Sequence, residues 1–466
     1  MAMIVKNNME AVNTLNTLNK NQSALSKSLE KVSSGMKINS AGDDASGMAI
    51  SERMRVQIRA LDQDDVNSKN GSALLRTAEG AVQSTIEVLK LLKEKAINAA
   101  NDTNTDEDRR IIQKDIDKLI DQIDENALTT YNGKYLIDGS RNSEVVGIGG
   151  RGTYSTLTNM SLDEQTIGGT FFTELARRDG SPLGIRSTDA LTASWVKNGV
   201  TYTRTLKPIG DMTDLVSTIP RITAGHVKLT NTNEVVGEDE HGHPVYTPDG
   251  KHGVTIRAED PGVEGQVAVT FCVTTSDGQI RKDVNAVLNA FTETIRAQNP
   301  SPDNSMVFHT GTRSNQAIHV GFTDMRSVAL GLQSENGQGW DHQTLPSYSG
   351  TPSPPYRDVQ AVGAGPKVQV TTQAAANAAI KVFDNALIRA TNQAVIIGAV
   401  QNRLGYTSSN LTVASENVQA SESTIRDADM AKEMTEYTRH NVLTQSAQAM
   451  LAQANQNASA VLSLLQ

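Results

Sequence analysis

Between Asn441 and Gln466 the chain carries no Lys, Arg, Asp or Glu, although 20% of its residues overall are charged. A helix exposed to bulk water keeps charge on its outer face, so this absence excludes ordinary surface duty for the segment. Proline is missing from both ends, since all 13 lie between Pro182 and Pro366. The ends can therefore run as unbroken helix and the middle cannot. Aromatic residues are scarce at 4%, which excludes a core built mainly on rings and favours Leu, Ile, Val and Ala along helix seams. The only cysteine, Cys272, has no partner for an intramolecular disulfide and reads as a small buried apolar residue among Val269, Phe271 and Val273. A net charge of −9 argues against nucleic acid as a partner. No apolar run is long enough to span a membrane, and Met3 to Val5 is far too short for a signal-peptide core, so export by the usual cleaved leader is not expected.

What is present at the ends is helical period. In the charge-free segment Leu443, Ala447, Met450, Ala454 and Val461 step along one helical face, and amide and hydroxyl residues fill the other directions. As a single helix it would reach roughly 39 Å. The expectation is a segment loose when free and helical when packed on neighbours. Near the other end Leu15, Leu18, Gln22, Leu25, Leu29, Val32 and Met36 keep the 3,4 spacing of a coiled-coil seam. Ser33-Ser34-Gly35 marks its end, and Gly42 and Gly47 predict a bend or extended connector before helix resumes ahead of Met54. A second seam runs Leu75, Ala78, Val82, Thr85, Leu89, Leu92, Ala96, Ala99. After the turn NDTNT, Thr105 and Asp108 form a capping box, and the new helix carries Ile112, Ile116, Leu119 and Ile123. Helix, short turn, helix predicts an antiparallel hairpin. The longest seam holds 3,4 spacing through Ile380, Phe383, Leu387, Ala390, Ala394, Ile397, Gln401, Leu404, Ser408, Leu411, Ser415, Val418, Glu422 and Ile425.

In the middle the period changes to two. Ala193, Trp195 and Lys197 alternate into the turn Asn198-Gly199, with Val200, Tyr202 and Arg204 leading out. A helical stretch, DMTDLVSTI, follows. Val267, Val269, Phe271 and Val273 predict another strand, Asp277-Gly278 a turn, and Val284, Val287, Leu288, Phe291 and Ile295 an amphipathic helix. Two hairpin-then-helix units suggest a weak internal repeat. Pro352, Pro354 and Pro355 mark a loop before the last long helix.

The fold class expected is mainly α at both ends, in long coiled-coil helices and a helical hairpin bundle, with an inserted β-rich or α+β outer region. Chemistry is sparse. His241, His243 and His252 crowd a loop with Glu238, Asp239 and Glu240, the best metal candidate, yet without the helical His spacing of a zinc enzyme; a solvated turn accounts for the same composition. There is no phosphate loop and no Cys/His nucleophile pattern, so neither an enzyme nor a cofactor is expected.

Residues 32–54, VSSGMKINSAGDDASGMAISERM, resemble the N-terminal signature of bacterial flagellins. QNRL at 401–404, SESTIRDADMAKEM at 421–434 and SAQAMLAQANQ at 446–456 resemble the C-terminal one, and FHTG at 308–311 with GFTDMRSVALGL at 321–332 resembles a hairpin and short helix that accompany the bundle. The resemblance implies a filament subunit, exported unfolded and uncleaved, and the following division. Residues 1–40 are an N-terminal coiled-coil core segment, 41–140 a helical shell, 141–303 a variable β-rich outer region, 304–366 a hairpin, short helix and loop returning to the shell, 367–435 the long C-terminal shell helix, and 436–466 the C-terminal core helix. Filament-core contacts would then fall on Leu15, Leu18, Gln22, Leu25, Leu29 and Val32 and on Leu443, Ala447, Met450, Ala454 and Val461. Implied partners are further copies of the chain, an export chaperone, and cap and hook-junction proteins, with neither membrane nor nucleic acid. The alternatives are a hook–filament junction protein, or a flagellin with a metal-binding or enzymatic insert.

The resemblance also implies a host partner. Flagellins that activate the Toll-like receptor sensing this family present an Arg and a Leu four residues apart on the hairpin's first helix and a Glu on its second. Aligned from Ala78, those positions here are Leu91, Lys95 and Asp115. Cation and apolar side chain are exchanged, so binding or signalling through that receptor is expected to be weak.

Overall fold

The structure is a computed structural model and describes residues 8–145, 152–197, 199–210, 214–223, 225, 227–231, 237–238, 244–245, 253–265, 268–334 and 366–464. The long helices are α1 (Met9–Ser34), α2 (Ala45–Ala99), α3 (Asp106–Ala127), α6 (Gln373–Arg426) and α7 (Met430–Leu464), and two short ones, α4 (Leu215–Ile222) and α5 (Lys282–Leu288), lie between them. The chain forms two units. One takes the residues up to Asn70, His309–Ala317 and those from Leu404 on; the other takes Gly71–Phe308 and Ile318–Arg403, so α2 and α6 contribute to both.

In the second unit the helical seams lie where their period puts them. Leu75, Ala78, Val82, Thr85, Leu89, Leu92, Ala96 and Ala99 are all fully buried, because a strict 3,4 step keeps one narrow face inward over the whole run. The hairpin start is built as its sequence predicts: Thr105 accepts from the Asp108 N–H and Asp108 accepts from the Thr105 N–H at 2.9 Å. This hydrogen bonding holds the Asp108 carboxyl below the usual carboxylate range, so its contribution to stability is fully present above that range and is lost as pH falls below it, through the lowered value. On α6 every seam position from Ile380 to Ile425 is buried or half-buried, the polar entries included, across both units.

After α3 comes a small hairpin, β1 (Thr130–Tyr131) with β2 (Lys134–Tyr135), turned at Asn132-Gly133 where both residues have positive φ, and the inserted region follows it. Then come β3 (Thr156–Asn159), β4 (Ala190–Lys197), β5 (Val200–Leu206), β6 (Val227–Asn231), β7 (Gly237–Glu238), β8 (Pro244–Val245), β9 (Val254–Ala258), β10 (Ala268–Thr274) and β11 (Phe291–Ile295). They form a four-stranded sheet in the order β11-β3-β9-β6, a three-stranded sheet in the order β10-β4-β5, and a short β7-β8 pair. One face of each larger sheet, with α4 and α5, encloses a core around Leu157, Trp195, Ile219, Ile256, Phe271 and Phe291. The region is entered and left through paired backbone: the Val145 N–H donates to the Ser301 carbonyl at 2.9 Å and Asn304 donates to Asn142 at 3.1 Å. A last hairpin, β12 (Met306–His309) with β13 (Ala317–Val320), follows.

Three expectations need correction. The helix expected from Val284 through Ile295 stops at Leu288, and Phe291 to Ile295 is strand β11. A four-residue step lies on one face in a strand as well as in a helix, so the pattern could not separate the two. The suggested repeat is absent, because β10 pairs with β4 instead of forming a hairpin of its own. The short helix expected in 321–332 is a single helical turn, Leu330 to Arg326, closed by Gly331 at φ 80. Asn198, Val267, Pro352, Pro354 and Pro355 lie outside the described residues, as do His241, His243 and His252.

Gly71 sits inside α2 against the Phe308 ring, where a Cβ would come within 2.9 Å of ring carbon Cδ1. Gly71→Ala is expected to destabilise the second unit by about 1–3 kcal/mol through overpacking, despite the better helix propensity of Ala. Urea unfolding checks it, and Gly71→Ala combined with Phe308→Leu should recover most of the loss. A stabilised single variant would refute the packing argument.

Candidate assembly site

In the first unit α1 and α7 lie antiparallel. The Asn8 side chain, which also caps α1 by accepting from the Ala11 N–H, donates through Nδ2 to the Ala454 carbonyl at 3.1 Å. Asn21 Nδ2 reaches the Leu443 carbonyl at 3.5 Å, and Lys31 pairs with Glu433 at 3.8 Å. The less exposed stripe of α1 is Ala11, Thr14, Leu18, Asn21, Leu25, Ser28 and Val32; that of α7 is His440, Thr444, Ala447, Leu451 and Ala454. Both keep 3,4 spacing, with small and polar residues that let two helices approach closely.

The predicted seams are therefore displaced. Leu18, Leu25 and Val32 share the inner stripe, whereas Leu15 and Leu29 are 44% and 51% exposed and Gln22 is exposed too. On α7, Ala447 and Ala454 are buried, but Leu443 and Met450 are 43% and 63% exposed. The Val461 side chain lies outside the described residues. Choosing the seam by hydrophobicity fails here because the largest apolar side chains point away from the partner helix within the chain. Met9, Val12, Leu15 and Leu29 on one helix and Val442, Leu443 and Met450 on the other are exposed large apolar side chains that no described residue covers.

The two signature stretches meet. The chain leaves α1 through Gly35, whose φ of 72 ends the helix with its N–H bonded to the Lys31 carbonyl. Lys37 N–H then donates to the Arg426 carbonyl at 2.7 Å and Ala428 N–H to the Gly35 carbonyl at 3.0 Å, so the two interhelix connectors pair. The Arg426 guanidinium, 9% exposed, reaches Glu52 at 2.6 Å and Met36 Sδ at 3.2 Å. That hydrogen bond holds the Glu52 carboxyl below the usual carboxylate range. Farther along, Ser415 Oγ donates to Asp62 at 2.8 Å.

In the second unit, Lys95 on α2 pairs with Asp115 on α3 at 2.7 Å, and Leu91 is 38% exposed one turn earlier. The three aligned positions thus hold an ion pair and a half-exposed leucine on the hairpin. Sequence reading missed Arg109, which is buried and donates to the carbonyls of Ala99 and Asn101 at 2.9 and 3.0 Å, closing the end of α2. A basic residue just after an acidic first turn was the available signal.

Among the described residues no group of His, Cys, Asp and Glu is placed to hold a metal ion, and no helix is long and apolar enough to cross a membrane. Burial pushes the Cys272 thiol up, away from reactivity, although the Asn285 amide beside it acts the other way.

A family model described as the bacterial flagellin N-terminal helical region matches residues 5–142, and one described as the bacterial flagellin C-terminal helical region matches residues 380–465. The flagellin of Clostridium tyrobutyricum is 33% identical over 455 residues, covering 97% of this chain and 99% of that protein. The flagellin of Bacillus subtilis is 28% identical over 466 residues, covering 99% and 100%. Flagellin B of Vibrio cholerae is 29% identical over 469 residues, covering 100% of both.

Proposed function

The chain belongs to the bacterial flagellin family, a family of structural proteins, and from that premise we propose how this filament subunit makes its contacts. Flagellins build the extracellular flagellar filament, and this chain is one of its subunits. The observation that carries the reading is the uncovered apolar surface of the α1–α7 pair. Leu15, Leu29, Leu443 and Met450 bind neighbouring copies in the filament core, while Leu18, Leu25, Val32, Ala447 and Ala454 hold the pair together and Gln22 lies on its rim. Such a contact is head-to-tail and does not close on itself, the geometry that yields helical polymers. Residues 1–40 and 436–466 form the core; 41–140, 304–366 and 367–435 form the shell, and 141–303 face outward. The amide and hydroxyl faces of α7 suit a channel wall that holds no charged segment tightly. The chain is exported unfolded and uncleaved, with a chaperone, a cap and hook-junction proteins as further partners, and no enzymatic activity is assigned. Incubating purified protein with short filament seeds tests the reading in the electron microscope: long extensions support it, and single capped ends would favour a junction protein.

The receptor expectation follows from the hairpin. The Lys95 ammonium is engaged by Asp115, so neither offers a free charge, and Leu91 supplies no guanidinium. Loss of an Arg contact and a cation opposite an apolar pocket each cost about 2 kcal/mol or more, enough for a large fall in potency. In a receptor-reporter assay the natural sequence should signal weakly and Leu91→Arg with Lys95→Leu should signal more strongly. Full potency of the natural sequence, or no gain in a filament-competent variant, would refute it.

A further inference from the structure

Four Asn-Gly steps occur in the chain, at Asn70, Asn132, Asn198 and Asn336, and the last two begin outside the described residues. The other two stand on opposite kinds of backbone. Asn70-Gly71 lies inside α2, where the Gly71 N–H belongs to the helical ladder and the peptide plane between the two residues is fixed. Asn132-Gly133 is the whole turn between β1 and β2. Strand pairing ends at Tyr131 with Lys134, so the ladder makes no use of the Gly133 N–H, and among the described residues the Asn132 carboxamide has no hydrogen-bond partner. Asn70 and Asn132 are both exposed, so they differ in backbone and not in access to water.

The φ values of 50 at Asn132 and 73 at Gly133 mark a type I′ turn. The other favoured two-residue hairpin turn, type II′, also keeps φ positive at the first central residue and differs there in ψ. Flipping the one peptide plane between Asn132 and Gly133 exchanges the two turns while the strands stay paired. The second central residue must reverse the sign of its φ in that flip, which glycine alone does at no steric cost. In the II′ form the Gly133 nitrogen swings onto the side of Asn132 Cγ, the arrangement that a five-membered ring through these atoms requires. We propose that Asn132 is a site of spontaneous covalent modification, at which the Gly133 nitrogen cyclises onto the side chain and water converts the residue to aspartate or isoaspartate. The Gly133 nitrogen gives its proton to water and bonds to Cγ, the Cγ–Nδ2 bond breaks, and the carboxamide nitrogen takes up a proton and leaves as ammonia. Water then opens the ring. Attack at Cγ restores the ordinary main chain and leaves aspartate, whereas attack at the backbone carbonyl leaves the main chain running through Cβ and Cγ. That extra backbone atom falls between strands holding only two pairs, Thr130 with Tyr135 and Tyr131 with Lys134. The next bond inward, from the Leu136 N–H to the Thr129 carbonyl at 3.3 Å, fixes a fully buried leucine.

The step needs only the folded subunit and water. Full-length protein is held in mildly alkaline buffer made with heavy-oxygen water, beside a sample unfolded in guanidinium chloride, and its peptides are mapped by mass. Each converted Asn gains one heavy oxygen, and the isoaspartyl peptide separates from the aspartyl one. In folded protein Asn132 should convert about ten-fold faster than Asn70 or more, because Asn70 must wait for local opening of α2. Once the chain is unfolded the two should convert at similar rates. Hydrogen exchange at Leu136 should quicken in the isoaspartyl protein and stay unchanged in Asn132→Asp, which carries the charge without the extra atom. A folded-state rate at Asn132 no higher than at Asn70 overturns the proposal. Unchanged exchange at Leu136 in the isoaspartyl protein overturns its effect on the hairpin.

Discussion

A chain ending at His440 will form no filaments, while its inserted region melts at the temperature of the full-length protein. The truncation removes Thr444, Ala447 and Ala454 from the antiparallel contact with α1, and with them exposed Leu443 and Met450. Each large apolar side chain buried at a neighbour is worth roughly 1.5–3 kcal/mol, so losing two weakens each contact by more than about a hundred-fold. In a polymer the loss recurs at every subunit. The core around Leu157, Trp195 and Phe271 has no residue from α7, which is why its transition stays put. Seeded growth followed by light scattering, beside thermal unfolding read at Trp195 in a Trp340→Phe background, checks both halves. Filament growth at the normal rate would refute the assignment, and full-length Leu443→Ala with Met450→Ala isolates the exposed face from the helix pairing.

The largest stability effect should come from Arg389→Ala. Arg389 on α6 and Glu293 on β11 have side chains only 5% and 4% exposed. The guanidinium donates to both Glu293 oxygens, from Nε at 2.6 Å and from Nη2, and its Nη1 reaches the Ala329 carbonyl at 3.3 Å. Ser155 Oγ donates to the same carboxylate at 3.2 Å. Removing the cation strands a buried carboxylate, which costs about 3–5 kcal/mol. Replacing both partners by apolar residues, Arg389→Met with Glu293→Leu, should recover most of that, since the desolvation penalty of both ions disappears. Equilibrium urea unfolding measures the two variants. An Arg389→Ala protein as stable as the parent would show the pair contributes nothing.

Those two side chains illustrate where sequence reading stopped. Seams such as Leu75 to Ala99 and Ile380 to Ile425 were legible because a local period implies a buried face whatever packs on it. The capping box at Thr105 is likewise a matter of four neighbouring residues. Arg389 and Glu293 are 96 positions apart, and no local pattern pairs them. The Asn285 and Asn289 amides closing β10 are equally hidden, since Asn at i and i+4 reads as a solvated helix face. At the assembly site the helices were legible and the orientation was not. Hydrophobicity locates surfaces that need cover, and it does not say whether that cover comes from the same chain or, as proposed for Leu15, Leu29, Leu443 and Met450, from another copy.

The antiparallel pairing of Val145 with Ser301 holds the two ends of everything between them a single strand spacing apart. Closing a flexible loop costs only about 0.6 kcal/mol more for each doubling of its length. The size of what is carried there is therefore almost decoupled from the scaffold that carries it. A stretch twice as long or half as long, ending in the same two residues, would change the closure cost by only about 0.6 kcal/mol, within the net worth of one ordinary hydrogen bond. The span between Val145 and Ser301 can then change its length and content while the backbone pairing at its two ends stays the same.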